Sequence, residues 1–183
     1  MIKDLVFTKV APKVATPQDM AALEVKLGVK LPPTFHEFCS RWNGGFASKE
    51  NTYYLVPSFF TEFYEKYCFG KKTEGVGVGV DIFLGATEEL KQCDLMRKYP
   101  LSGGANWGFI PITYDLMGGM AVLRADSPIK MVYWVDPDTF EMPEGIEMGT
   151  TPGNPEARLV LMPIAADLES FYNALTSDPD RDW

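Results

Sequence analysis

The sequence predicts an α+β fold: a single domain whose antiparallel or mixed sheet, with a central meander, packs against an N-terminal helical pair and a C-terminal helix. Three observations carry this. Residues 16–45 hold two short helical patterns with sharp punctuation, residues 107–135 hold three strand-like segments with short connections, and residues 163–175 repeat apolar side chains at helical spacing. Connections that short imply antiparallel pairing, because a parallel crossover needs a dozen or more residues. The 183 residues are 46% apolar and 13% aromatic. That suffices for one packed core, and a chain of this size buries roughly 70% of its unfolded surface. One domain is expected over 1–183, with its core at about 17–175 and a polar tail at 176–183.

The helical pair comes first. Thr16 caps a helix with Pro17 in its first turn and Asp19 three residues on. Met20, Leu23 and Leu27 fall on one face, and Gly28 supplies a left-handed stop. Pro32 and Pro33 force a restart, since neither donates a helical hydrogen bond. Phe35, Phe38, Cys39 and Trp42 then share a buried face at i, i+3, i+4 and i+7. Asn43, Gly44 and Gly45 end that helix with residues that tolerate positive φ.

Tyr53–Val56 follows as a short strand of β-formers. Pro57 and Ser58 open an aromatic helix carrying Phe59, Phe60, Phe63, Tyr64 and Tyr67, too apolar on its faces to be fully wetted. Gly75–Val80 alternates glycine and valine, which permits an edge strand or loop and weakens it through backbone entropy. Asp81–Leu84 continues extended, and Thr87 caps a helix reaching Lys98. The meander comprises Trp107–Tyr114, Met120–Arg124 and Ile129–Val135, with turns at Asp115–Gly119 and Ala125–Pro128. Residues 140–157 read as a long loop, rich in proline and glycine. Arg158–Met162 reads as a strand, and a final helix from about Pro163 places Leu168, Phe171, Tyr172 and Leu175 on one face.

Charge is uneven. From Asp136 onward, 11 acidic residues face Arg158 and Arg181, a balance of −9, whereas residues 1–135 carry 15 basic and 14 acidic residues, a balance of +1. Such a chain repels nucleic acid and anionic membranes and attracts a basic protein. No run approaches the roughly 18 to 20 apolar residues that span a bilayer. The opening MIKDLVFTKVAPKV lacks the long apolar core of a secretory signal. Cys39, Cys68 and Cys93 are odd in number, far apart and without a C-x-x-C pair, so reduced, mostly buried thiols in a cytoplasmic protein are expected, with no structural metal.

The inventory also disfavours catalysis. His36 is the sole histidine and sits on the helix face turned away from Phe35, Phe38 and Trp42, where a solvated side chain is expected. The GVGVGV run lacks the third glycine of a dinucleotide fingerprint and opens no capped helix. Carboxylate pairs occur at Glu88–Glu89, Asp136/Asp138 and Glu141/Glu144. Glycosidase-like or metal chemistry would need two of them convergent in a pocket. No catalytic residue, metal ligand or cofactor site is assigned.

An apolar-Glu helix, a Leu27–Gly28 step, Leu31–Pro32–Pro33, a Phe-rich helix and Trp42–Asn43–Gly44–Gly45 together resemble the opening signature of the SUKH superfamily. That superfamily groups bacterial toxin-immunity proteins with fungal cell-wall regulators. Trp107–Gly108–Phe109–Ile110–Pro111–Ile112, Gly118–Gly119, Val132–Tyr133–Trp134 and a closing apolar helix resemble its later signature. The likeness runs from about Pro17 to Leu175 and departs from the compact pattern at Phe59–Gly79. It implies the same α+β architecture, a structural role for Phe38, Trp42, Asn43, Gly44 and Gly45, and work by binding a protein rather than by chemistry. On the toxin-immunity branch, the partner is a cognate toxin domain, basic and possibly a nuclease. Partner-binding candidates are the acids Asp136, Asp138, Glu141 and Glu144, which steer association, and the aromatics Phe59, Phe63 and Tyr67, which anchor it. An adaptor binding signalling or cell-wall enzymes is the alternative, and a carboxylate-based hydrolase the remoter one.

Overall fold

Among the described residues, seven strands form one sheet in which every pairing is antiparallel. A computed structural model of the chain describes residues 1–57, 77–86, 95, 109–125, 127, 131–135, 140–141, 158–159 and 162–178. The described strands are β1 (Phe7–Val10), β2 (Gly45–Ala47), β3 (Tyr53–Leu55), β4 (Gly77–Gly79), β5 (Ile82–Phe83), β6 (Phe109–Tyr114), β7 (Met120–Arg124), β8 (Val132–Val135), β9 (Phe140–Glu141), β10 (Arg158–Leu159) and β11 (Met162–Ala165), and the seven-stranded sheet runs in the order β1-β2-β5-β6-β7-β8-β11. Three α-helices lie among the described residues: α1 (Pro17–Leu27), α2 (Pro33–Arg41) and α3 (Leu168–Ala174). The expected α+β architecture, with its β6–β7–β8 meander, is the one observed.

The helix ends follow the sequence signals. Thr16 and Asp19 form a reciprocal capping box, and Gly28 closes α1 at φ +71°. Met20, Leu23 and Leu27 are buried, as are Phe35, Phe38 and Cys39 of α2 and Leu168, Phe171 and Tyr172 of α3. These side chains join Phe83, Ile110, Ala121, Leu123, Val132 and Trp134 in one core, so the helices cover a single face of the sheet. Alternation along the strands turns Phe109, Met120, Val122 and Val135 to the other face, where they form a second buried cluster.

Phe38 lies at the centre of an aromatic cluster. Its ring stacks on Tyr172 at 5.2 Å between centroids and on Phe83 at 5.8 Å. Phe7, Phe35 and Trp42 contact it at tilted angles. Trp42 departs from expectation: it is only partly buried, with one face on Phe38 and the guanidinium of Arg41 4.1 Å above its ring. The helix ends at Trp42, whose φ of −130° leaves the helical range and swings the indole off the buried stripe.

Three further differences have local causes. β1 occupies a segment read only as an unpromising leader; its side chains are mostly exposed and Lys9 interrupts it, so no alternation is visible. Upstream, Ile2 and Leu5 are buried, and α2 pins this stretch through Arg41 Nη1 to the Ile2 carbonyl at 2.7 Å and the Ile2 N–H to Glu37 at 3.0 Å. Residues 163–165, expected to start a helix, instead complete β11 against β8, and α3 begins only after Asp167 caps it through the Ser170 N–H. Within the expected loop over 140–157, Phe140–Glu141 pairs with Arg158–Leu159 as a two-stranded ladder. Of the two readings open for the glycine-valine run, edge strand or loop, Gly77–Gly79 takes the strand, paired with β3. The Tyr53 ring lies over Gly77, where a Cβ would stand 1.8 Å from its hydroxyl and the ring would have to move aside. The expected helices over 57–67 and 87–98 lie outside the described residues, apart from Leu95, which is helical and fully buried.

Candidate functional site

The Trp42–Asn43–Gly44–Gly45 corner joins α2 to β2 and ties three distant segments. Asn43 sits at φ +53° and Gly44 at φ +93°, so the chain reverses through two left-handed residues. The Asn43 amide donates to the Lys13 carbonyl at 3.0 Å, and its oxygen accepts the Ala86 N–H at 2.7 Å. The Gly44 carbonyl accepts the Ala11 N–H at 3.1 Å. Gly45 is held to glycine by proximity: a Cβ there would lie 2.6 Å from the Lys9 carbonyl. Phe38, Trp42, Asn43, Gly44 and Gly45 thus converge in one architectural knot. With Asn43, Gly44 and Gly45 buried, it offers a partner little surface.

A polar cluster links α1 to α2. Glu24, 6% exposed, occupies the apolar stripe of α1. Its carboxylate accepts from Lys30 Nζ at 2.5 Å, the Leu31 N–H at 3.0 Å and His36 Nε2 at 2.9 Å. Burial pushes the Glu24 carboxyl up, but the Lys30 ammonium, the Leu31 N–H and His36 together outweigh it and hold it down at about 2. So acidic a group is a poor proton acceptor at neutral pH, and all its donors are spent on bracing the loop between the helices. His36 is therefore no simple solvated side chain: it is half-exposed and bonded to Glu24. A shallow depression of about 260 Å³ opens beside this cluster, lined by Glu24, Val25, Gly28, Val29 and Lys30.

That geometry gives a pH dependence. The folded carboxyl ionises near 2, against 4.5 for the ordinary side chain, so the unfolded chain binds more protons between those values. The stabilisation is complete above about pH 5 and fades as pH falls towards 2. Because Lys30 is 86% exposed and screened by solvent, the contribution is about 1–2 kcal/mol rather than the full shift. Glu24→Gln should lower the urea midpoint at pH 5 and lose most of that deficit by pH 3. An equal deficit at both pH values would show that the charge does not matter.

Cys39 is a free, fully buried thiol whose pKa burial pushes far up, which makes it inert. Among the described residues no three His, Cys, Asp or Glu side chains gather as metal ligands, and no helix is long and apolar enough to cross a membrane. Of the partner-binding candidates, Phe59, Phe63, Tyr67, Asp136, Asp138 and Glu144 lie outside the described residues. For Glu141 only the backbone, in β9, is described.

A helical pair closed by a glycine corner thus lies on an antiparallel sheet with a terminal helix. The family model of the SMI1 / KNR4 family (SUKH-1) matches residues 14–174, and the chain belongs to that family. Neither a curated protein nor a solved structure matches it.

Proposed function

We propose that the protein is a cytoplasmic immunity protein, which binds a cognate toxin domain of a polymorphic or contact-delivered bacterial system and neutralises it without chemistry of its own. The observation that carries this reading is the family match over residues 14–174. The charge distribution supports it: the −9 balance after Asp136 favours encounter with a basic protein, such as a nuclease. Asp136, Asp138, Glu141 and Glu144 steer the approach, and Phe59, Phe63 and Tyr67 hold the complex. Co-expression with the domain encoded by the adjacent reading frame tests the reading. Restored growth and co-purification are expected, and failure of both would reject it.

The steering role has its own measurement. Exposed charges act on association rate, and salt screens them beyond about 8 Å at physiological ionic strength. A variant with Asp136 and Asp138 changed to Asn, and Glu141 and Glu144 to Gln, should associate about 10-fold more slowly than wild type at low salt. The gap should close at high salt while the dissociation rate holds. An association rate equal to wild type at low salt would remove these four residues from the encounter surface.

A further inference from the structure

The turn between β6 and β7 inverts the usual rule for turns. Its two central positions are Leu116, 71% exposed, and Met117, 86% exposed, the largest apolar display at any described turn. Solvated tips are ordinarily polar or glycine-rich, because their backbone and side chains face water. This tip is also built to stay in place. Asp115 Oδ1 accepts the Met117 N–H at 2.9 Å and the Gly119 N–H at 2.7 Å. Asp81, on the neighbouring β5 side, accepts the Leu116 N–H at 2.8 Å through Oδ2. The Asp115 N–H donates to the Gly119 carbonyl at 3.0 Å, and Gly118 takes φ +97°. Beneath it, a Cβ on Gly119 would stand 2.2 Å from the Trp134 ring, so the base of the turn sits directly on the core.

We infer that Leu116 and Met117 form a preorganised apolar contact that inserts into an apolar socket on a protein partner carrying basic residues around that socket. Fixing the turn in advance removes the ordering entropy that a flexible tip would lose on binding, so two exposed side chains suffice to slow dissociation. Met adds an adaptable thioether of the kind enriched at protein interfaces. Charge selects the class of partner: the tip stands on the carboxylates of Asp81 and Asp115, a local pairing that disfavours an anionic lipid surface and favours a cationic protein.

This inference rests on the immunity reading and names one contact within it. The test uses the full chain, the double variant Leu116→Ser/Met117→Ser, and the toxin domain encoded by the adjacent reading frame. Because both side chains are solvated, the variant should melt at the wild-type temperature. It should dissociate from that domain at least about 10-fold faster, with the association rate nearly unchanged. Wild-type affinity in the variant would overturn the contact while leaving immunity standing. No binding by wild type would overturn the immunity reading, and this contact with it. Sedimentation with phosphatidylcholine vesicles containing phosphatidylglycerol supplies the other arm: wild type should stay in the supernatant, and pelleting that the double substitution abolishes would assign the tip to membranes instead.

Discussion

Phe38→Ala should lower stability by about 3–5 kcal/mol, the range for deleting a buried phenylalanine. Phe38 is fully buried, and among the described residues five aromatic rings surround it, drawn from β1, α2, β5, α3 and the Trp42 corner. Neighbours on separate elements cannot all collapse into the space, so most of the cavity should persist. Trp42→Ala should cost less, about 2 kcal/mol, although the side chain is larger, because part of the indole is already wetted and what it loses includes the Arg41 stack. Urea denaturation of both variants decides the order. A larger loss at Trp42 would mean that the indole, not Phe38, is the keystone of the cluster.

The second large effect belongs to the contact between Gly85 and the Asn43 corner. A Cβ on Gly85 would lie 2.3 Å from both the carbonyl carbon and oxygen of Asn43, and 2.7 Å from the Gly44 nitrogen. Those are backbone atoms fixed by the left-handed reversal, and no rotamer change relieves them. Gly85→Ala should therefore destabilise by about 3 kcal/mol. Asn43→Ala should match it, because it strands the Lys13 carbonyl and the Ala86 N–H and places a Cβ residue without local compensation at positive φ, together about 3 kcal/mol. Asn43→Gly separates the two causes: it restores the backbone freedom and should recover about 1 kcal/mol, leaving the lost hydrogen bonds. Thermal midpoints of the three variants check this ranking, and a neutral Gly85→Ala would show that the two segments do not meet so closely.

The parts of the fold legible in the sequence are those whose stabilising group lies nearby in the chain. Thr16, Asp19 and Gly28 bound α1 through bonds spanning a few residues, and the meander is set by short turns. Asn43 was readable as a positive-φ residue, but not its partners, Lys13 and Ala86, which lie 30 residues before it and 43 after. β1 was hidden because an edge strand with an exposed outer surface has no need of alternation. In β11, Pro163 masked the alternation of Met162 and Ile164, and the cap at Asp167 that delays the helix emerges only from the structure. The burial of Phe38 and the positive φ of Asn43 and Gly44 were legible, since helix periodicity and residue type place them locally. Glu24 escaped because an acid in a helix reads as solvated until its donors at 30, 31 and 36 are folded against it.

The two ends of the seven-stranded sheet share a feature. In β1 the register shifts between Phe7 and Lys9, and in β11 between Pro163 and Ala165. One margin thus carries a break in register beside a lysine, and the other a break beside a residue with no N–H to donate. Each blunts the template that a flat open margin offers to a foreign strand. Among the described strands both margins are thus blunted, so the addition of a foreign strand by backbone hydrogen bonding is disfavoured at each.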